Sequence, residues 1–290
     1  MDGFLLQVFS GLANGSIYAA VGLALVMIYQ STHHINFAQG EMATFSTFIC
    51  WWLIDSGMSY WLAFFLTVGV AFIGGVVVQR VFIRPVERKP VLINVIVFVA
   101  LLVIFNAMSG WIFDHTLKAF DSPFPVRSAV LPEYISGHQL GSLGVTLAVL
   151  LVIYLFFRFT PIGLAMRGAA QNPDSASLVG IRVTWMLALG WGLASAIGAV
   201  AGMMMAPIMF LDPNMMAGIL LYGFAAALLG GIDNPWGAVA GGFIVGVLEN
   251  LLGAYVIGSD LKLTVALVLI VGTLTLKPNG LFGQKVVTRV

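Results

Sequence analysis

The feature that most constrains this chain is how rarely charge interrupts it. Seven long windows are apolar and nearly free of Lys, Arg, Asp and Glu: Leu5–Tyr29, Tyr60–Val78, Val91–Phe113, Leu143–Phe157 with its flanks, Met186–Pro207, Gly237–Ile257 and Leu261–Leu276. A bilayer core needs about 20 apolar residues per helix, and these windows match that length in succession. Two further windows are short. Met42–Ile54 follows the polar string His33–Glu41, and Gly218–Gly231 ends in two glycines. Each reads either as a complete span or as a broken or re-entrant helix, which is tolerated only where protein or a water-filled cavity surrounds it. The expected fold is an all-α polytopic transmembrane bundle of about 8–9 spans, one or two of them short or broken, forming one domain over residues 1–290.

Composition excludes several classes of function. Of 290 residues 60% are hydrophobic and 9% charged, against about 25% charged in ordinary soluble domains, so a soluble monomer is excluded. A formal charge of +1 supplies no basic field for nucleic acid. The single Cys50 can form neither an intrachain disulfide nor a metal cluster, and reads as a small buried hydrophobe. Met1–Leu6 lacks a positive n-region and no A-x-A-like site follows, so the first window is expected to be a retained span.

Cations set the orientation, because Lys and Arg in short loops favour the cytoplasm. Arg80, Arg84, Arg88 and Lys89 share one loop, Arg158, Arg167 and Arg182 bracket a second, and Lys277, Lys285 and Arg289 lie in the tail; these are ten of the thirteen. Residues 114–142 carry Lys118 and Arg127 against Asp114, Asp121 and Glu133, with Pro123, Pro125 and Pro132. That segment is expected outside and the C-terminus inside.

An ionisable group at the centre of a span costs about 2.5–3.5 kcal/mol on insertion scales, so each needs a protein-lined or wet environment. Glu41 and Glu249 are the two such groups. Glu249 reads as a pathway or gating group, or as an interhelical hydrogen-bonding tether. Glu41 reads as a pathway group, or as a carboxylate at a helix start near free backbone N–H groups. His33, His34 and Glu41 do not make a metal site, since adjacent residues on a helix diverge by about 100° and no third His or Cys supports them. No G-x-S-x-G occurs, and enzymatic activity is not expected. The repeats Gly198-x-x-x-Gly202, Gly237-x-x-x-Gly241 and Gly242-x-x-x-Gly246 predict close helix packing.

The segment Thr160–Trp185 is too polar to span. Pro173 suits a first helical turn, Asp174 falls early in that helix, and Asn172–Val179 is expected to form a short amphipathic helix. It either lies in the interface or transmits a push from a cytoplasmic motor.

Four segments in order resemble the LivH-like permeases of branched-chain-amino-acid-type ABC importers: INFAQGEM (Ile35–Met42, after GLANGSIYAAVGLALVMIY), RGAAQNPDSASLVGI (Arg167–Ile181), LLGGIDNPWGAVAGG (Leu228–Gly242) and LKPNGLFG (Leu276–Gly283). The resemblance covers essentially the whole chain. Gln39 stands where the family usually has His. The resemblance implies a bacterial inner-membrane permease subunit that pairs with a related LivM-like permease, two cytoplasmic ATPases and a periplasmic substrate-binding protein. It also implies that the ATPases are contacted through Arg167, Gln171, Asn172, Asp174, Ala176, Leu178, Gly180 and Ile181. The chain lacks the phosphate-cradling G-x-x-x-x-G-K-[ST], so ATP and Mg²⁺ are expected in the partners, with no cofactor here. Asn14, Ser16, Asn36, Gln39, Glu41 and Glu249 are the candidates for a polar pathway lining. The implied substrates are branched-chain amino acids or a related amide or urea. The rival classes are a stand-alone channel or ion-coupled carrier, and a membrane scaffold.

Overall fold

The computed structural model describes residues 2–87, 89–126 and 134–283. Arg88, Arg127, Pro132, Glu133, Lys285 and Arg289, which enter the orientation argument, lie outside the described residues.

Eleven α-helices follow in order among the described residues: α1 (Asp2–Thr32), α2 (Gln39–Asp55), α3 (Tyr60–Val78), α4 (Val91–Phe113), α5 (Gly137–Phe159), α6 (Pro161–Gln171), α7 (Pro173–Leu178), α8 (Val183–Met209), α9 (Met215–Gly230), α10 (Pro235–Leu252) and α11 (Lys262–Leu276). π-helical turns extend α3 through Gln79–Ile83 and α10 through Gly253–Ile257. Among the described residues six helices are long and apolar enough to cross a membrane, and α9 and α11 are shorter apolar helices. The chain is a helical membrane bundle.

Local chemistry sets the helix ends. Thr160, Asn172 and Asn234 cap α6, α7 and α10, each followed by Pro at the first helical position. Their side chains accept backbone N–H groups that have no intrahelical partner.

By its contacts the chain divides into two compact units. The first draws on the described parts of 1–26, 124–144 and 218–290, and the second on those of 27–123 and 145–217.

In the first unit α1 packs on α9 and α10 through glycine. Gly11 and Gly15 lie against the backbone of Gly242, Phe243, Gly246 and Val247 on α10, and Gly22 lies against Gly223 and Ala226 on α9. Gly241 meets Ala226, and Gly237 meets Gly230, so α9 and α10 approach as closely. Removing side chains at these positions lets backbones touch, which lipid alone would not enforce. Val26, Ala227 and Ala238 close the apolar centre with Ile232 against them.

The C-terminal segment seals the α9–α10 turn. Leu281 N–H donates to Leu229 O (2.7 Å), Phe282 N–H to Gly230 O (3.0 Å) and Asn234 Nδ2 to Phe282 O (3.1 Å). Gly280 adopts φ +73° with Gly231 N and Leu228 O within 2.5 Å of where a Cβ would stand. Only glycine meets both demands there. The segments Leu228–Gly242 and Leu276–Gly283 are thus in direct contact.

In the second unit α8 lies between α2 and α3. Gly198 and Gly202 face Gln39, Ala43 and Thr47 of α2, while Gly192 faces Phe72, and Gly75 of α3 faces Trp191 and Ser195. Trp191 is wholly buried, stacked on Phe98 of α4 at 6.0 Å. Cys50 is buried as a free thiol, in keeping with its reading as a small hydrophobe.

Candidate functional site

Three groups of residues carry chemistry: a polar cluster in each unit, and the polar segment between α5 and α8.

In the second unit α2 begins alongside the middle of α8. The turn before it is built by Asn36, whose Oδ1 accepts Ala38 N–H (3.0 Å) and whose Nδ2 donates to Gln39 Oε1 (3.4 Å). Gln39 Nε2 donates to Ala194 O at 3.0 Å. Asn36 and Gln39 are fully buried, and both ends of the Gln39 amide are bonded. These bonds satisfy polar groups that lipid could not.

Glu41 stands in the first turn of α2, where the helix dipole favours an anion. It is 5% exposed. Its Oε2 accepts from Asn106 Nδ2 of α4 at 3.2 Å, and the same amide lies 3.1 Å from Pro213 O and 2.9 Å from Asn214 Oδ1. Asp212 Oδ1 accepts Asn214 N–H at 2.7 Å, which shapes the α8–α9 elbow. One amide therefore ties α2, α4 and that elbow together. The cluster joins Glu41 to Asn106 and Asn214, two residues the sequence reading had not singled out. Asn106 is one of two Asn in the apolar run Val91–Phe113, the other being Asn94 in its first turn, a signal that could have marked it.

In the first unit Glu249 is 4% exposed. Tyr18 Oη donates to its Oε2 at 3.0 Å, Lys262 Nζ lies 3.7 Å from Oε1, and Tyr18 stacks on Tyr222 with ring centroids 4.6 Å apart. Lys262 also donates to Asn250 Oδ1 at 2.8 Å. Glu249 thus links α1, α10 and α11, the geometry of the tether reading. Ser16 is buried and bonded back to Ala13 O (2.7 Å), while Asn14 is half-buried. Tyr18, Tyr222 and Lys262 were not singled out from sequence, and Tyr18 lies two residues past Ser16.

The segment between α5 and α8 is two helices, α6 and α7, joined at Asn172. Asn172 Oδ1 accepts Ser175 N–H at 2.9 Å. Gly163 of α6 packs against the backbone of Phe156 and Phe157, where a Cβ would not fit. Gly163, Met166 and Ala169 are buried, and so is Ala176 of α7. Arg167, Gln171, Asn172, Asp174, Leu178 and Gly180 are exposed, with Ile181 intermediate. Leu178 and Val179 are 87% and 76% exposed, an apolar knuckle standing out of a polar segment. Gly180 ends it at φ +86°.

Among the described residues no group of three His, Cys, Asp or Glu could hold a metal ion.

Comparison with known proteins agrees with this architecture. The family described as branched-chain amino acid transport system / permease component matches residues 7–274. The high-affinity branched-chain amino acid transport system permease protein LivH of Escherichia coli (strain K12) is 30% identical over 99% of this chain and 98% of its own length. LivH of Salmonella typhimurium and BraD of Pseudomonas aeruginosa show the same identity and coverage. A chain of PsaBC from Streptococcus pneumoniae in complex with Fab aligns over 94% of this chain and 91% of that one, with a TM-score of 0.50 and 13% identity, a likeness of fold alone. Matched along nearly its whole length, the chain belongs to the branched-chain amino acid transport permease family, as a LivH-like member.

Proposed function

We propose that this chain is the permease subunit of an ATP-driven importer, carrying branched-chain amino acids or a related small amide or urea across a bacterial inner membrane by alternating access. The observation that carries the ATP-driven part is the α6–α7 elbow. Leu178 and Val179 stand out for a partner to cover, while Ala176 is buried and Gly163 is clamped against the α5 backbone. An apolar knuckle on a buried footing suits a surface that receives force and passes it on. A push on α7 reaches α6 through Asn172 and then α5 through the Gly163 contact.

In this reading all 290 residues act as one permease domain. α2, α9 and α11 complete the crossing begun by the six longer helices, giving nine traverses with the C-terminus cytoplasmic. The partners are a LivM-like permease, two ATPases that hold ATP and Mg²⁺, and a periplasmic binding protein. This chain then needs no cofactor of its own. Selectivity resides in the binding protein, and the pathway needs only weak polar contacts from among Asn14, Ser16, Asn36, Gln39, Glu41 and Glu249. Glu41 carries the strongest case, because its Oε1 has no hydrogen-bond donor among the described residues.

The test is purification of the tagged chain from its native membrane in mild detergent, with mass spectrometry of co-purifying subunits and an ATPase assay. Asp174→Lys, at an exposed position, is expected to strip away the ATPases while the permease pair stays intact. Recovery of the chain alone, with no ATPase activity under conditions that keep other membrane complexes whole, refutes the proposal.

A further inference from the structure

Where α8 enters the bundle, a groove of about 560 Å³ is lined by Ala165, Ile181, Arg182, Trp185, Met186 and Leu189 among others. We propose that this groove binds the phosphate headgroup of an anionic phospholipid, with one acyl chain along its apolar wall.

The cations come first. Arg182 is exposed at the groove's edge. Arg80 does not line the groove but stacks on its Trp185, its guanidinium carbon 3.5 Å from the indole centroid. Arg80 Nε is buried without a hydrogen-bond partner, and among the described residues neither guanidinium is ion-paired. An unpaired arginine at a membrane surface is costly to leave so, and the planar fork of the Arg182 N–H donors matches a phosphate, with the Arg80 charge adding to the local field.

Position decides the kind of phosphate. The groove lies at the first turns of α8, where an apolar span begins, on the side that the cation distribution assigns to the cytoplasm. That is headgroup depth, and basic pockets between helices on this face bind anionic headgroups. Free phosphate would leave Ile181, Met186 and Leu189 bare. A phospholipid covers both the charges and the apolar wall. Trp185 is the amphipathic ring expected at this depth, and its stack with Arg80 fixes it in place. Arg80 is itself held in a π-helical turn, where Arg84 N–H donates to Gln79 O at 2.8 Å. Such turns often mark functional positions in helices.

Native mass spectrometry of the full chain, purified with whatever subunits accompany it, reads the result without ATP turnover, so it stands or falls apart from the importer proposal. The protein is titrated with dioleoylphosphatidylglycerol and, separately, with dioleoylphosphatidylcholine. Phosphatidylglycerol is expected to be retained at least tenfold more tightly. Arg182→Gln weakens that retention about fivefold, the share of one cation at an anionic surface, while Arg182→Lys, which keeps the charge without the planar fork, loses less. Lys277→Gln, which removes a cation from the other unit, leaves it unchanged. Inorganic phosphate at matched concentration does not displace the lipid. Equal retention of the two lipids, displacement by inorganic phosphate, or the same loss from Lys277→Gln overturns the proposal. So does an Arg182→Gln variant that sheds protein subunits while keeping its lipid, since the groove would then belong to a protein partner.

Discussion

Gly246→Ala puts the glycine seam of the first unit to a quantitative test. An added methyl at 246 would stand 2.5 Å from Gly11 O and from Gly15 N, and closer still to Gly15 Cα, whereas ordinary contact begins at 3.4 Å. The shortfall from these two atoms means that α1 and α10 must part by at least 0.9 Å. No rotamer relieves it, because every obstructing atom is backbone. Alanine gains about 1 kcal/mol over glycine in a helix interior, and overpacking costs about 1–3 kcal/mol, here at the upper end. The expected net loss is about 1–2 kcal/mol. Gly144→Ala in α5 is the control, since a methyl there meets nothing within 4 Å; it gains about 0.5–1 kcal/mol. The two variants should differ by about 1.5–3 kcal/mol in sodium dodecyl sulfate titrations followed by far-ultraviolet circular dichroism. If Gly246→Ala unfolds at the same detergent fraction as Gly144→Ala, direct backbone contact is not what holds α1 to α10.

Three further outcomes follow from the polar contacts. Glu249→Ala removes the counter-ion of Lys262 and the acceptor of Tyr18, and costs about 2 kcal/mol, below the 3–5 kcal/mol of a fully buried pair because Lys262 is 32% exposed; adding Lys262→Met recovers part of the loss in the same titration. Asn106→Leu leaves Glu41, Pro213 O and Asn214 without their shared donor; the expected loss is about 1–3 kcal/mol, with faster proteolysis at the α8–α9 elbow as the local readout. Asn172→Ala removes the cap of α7 at a cost of about 1 kcal/mol. Since α7 has six residues and an exposed surface, the global unfolding midpoint should stay within error while ATPase activity of the purified assembly falls.

Hydropathy made the helices legible, because a span must satisfy its backbone internally and its side chains must suit lipid. Val91–Phe113 and Tyr60–Val78 coincide with α4 and α3 to the residue. The small-residue repeats also found their partners: Gly198 and Gly202 on α2, Gly242 and Gly246 on α1, Gly237 and Gly241 on α9. Side-chain pairing was not legible in the same way. Glu41 meets Asn106 across 65 positions and Tyr18 meets Glu249 across 231, and no local periodicity encodes such partners. The loop helix expected over Asn172–Val179 is shorter, because Asn172 is spent as its cap and Gly180 turns the chain into a left-handed conformation.

The place where α2 starts has a consequence for how this protein is made. Its first residue is anchored to a carbonyl 155 positions later, Gln39 to Ala194. At about 5–20 residues per second of synthesis, that carbonyl emerges roughly 8–30 s after Gln39. Until then the Gln39 amide lacks the carbonyl that it donates to in the finished fold. α8 thus acts as a late template for a segment made long before it, the polar start of α2 being completed only once α8 has been synthesised.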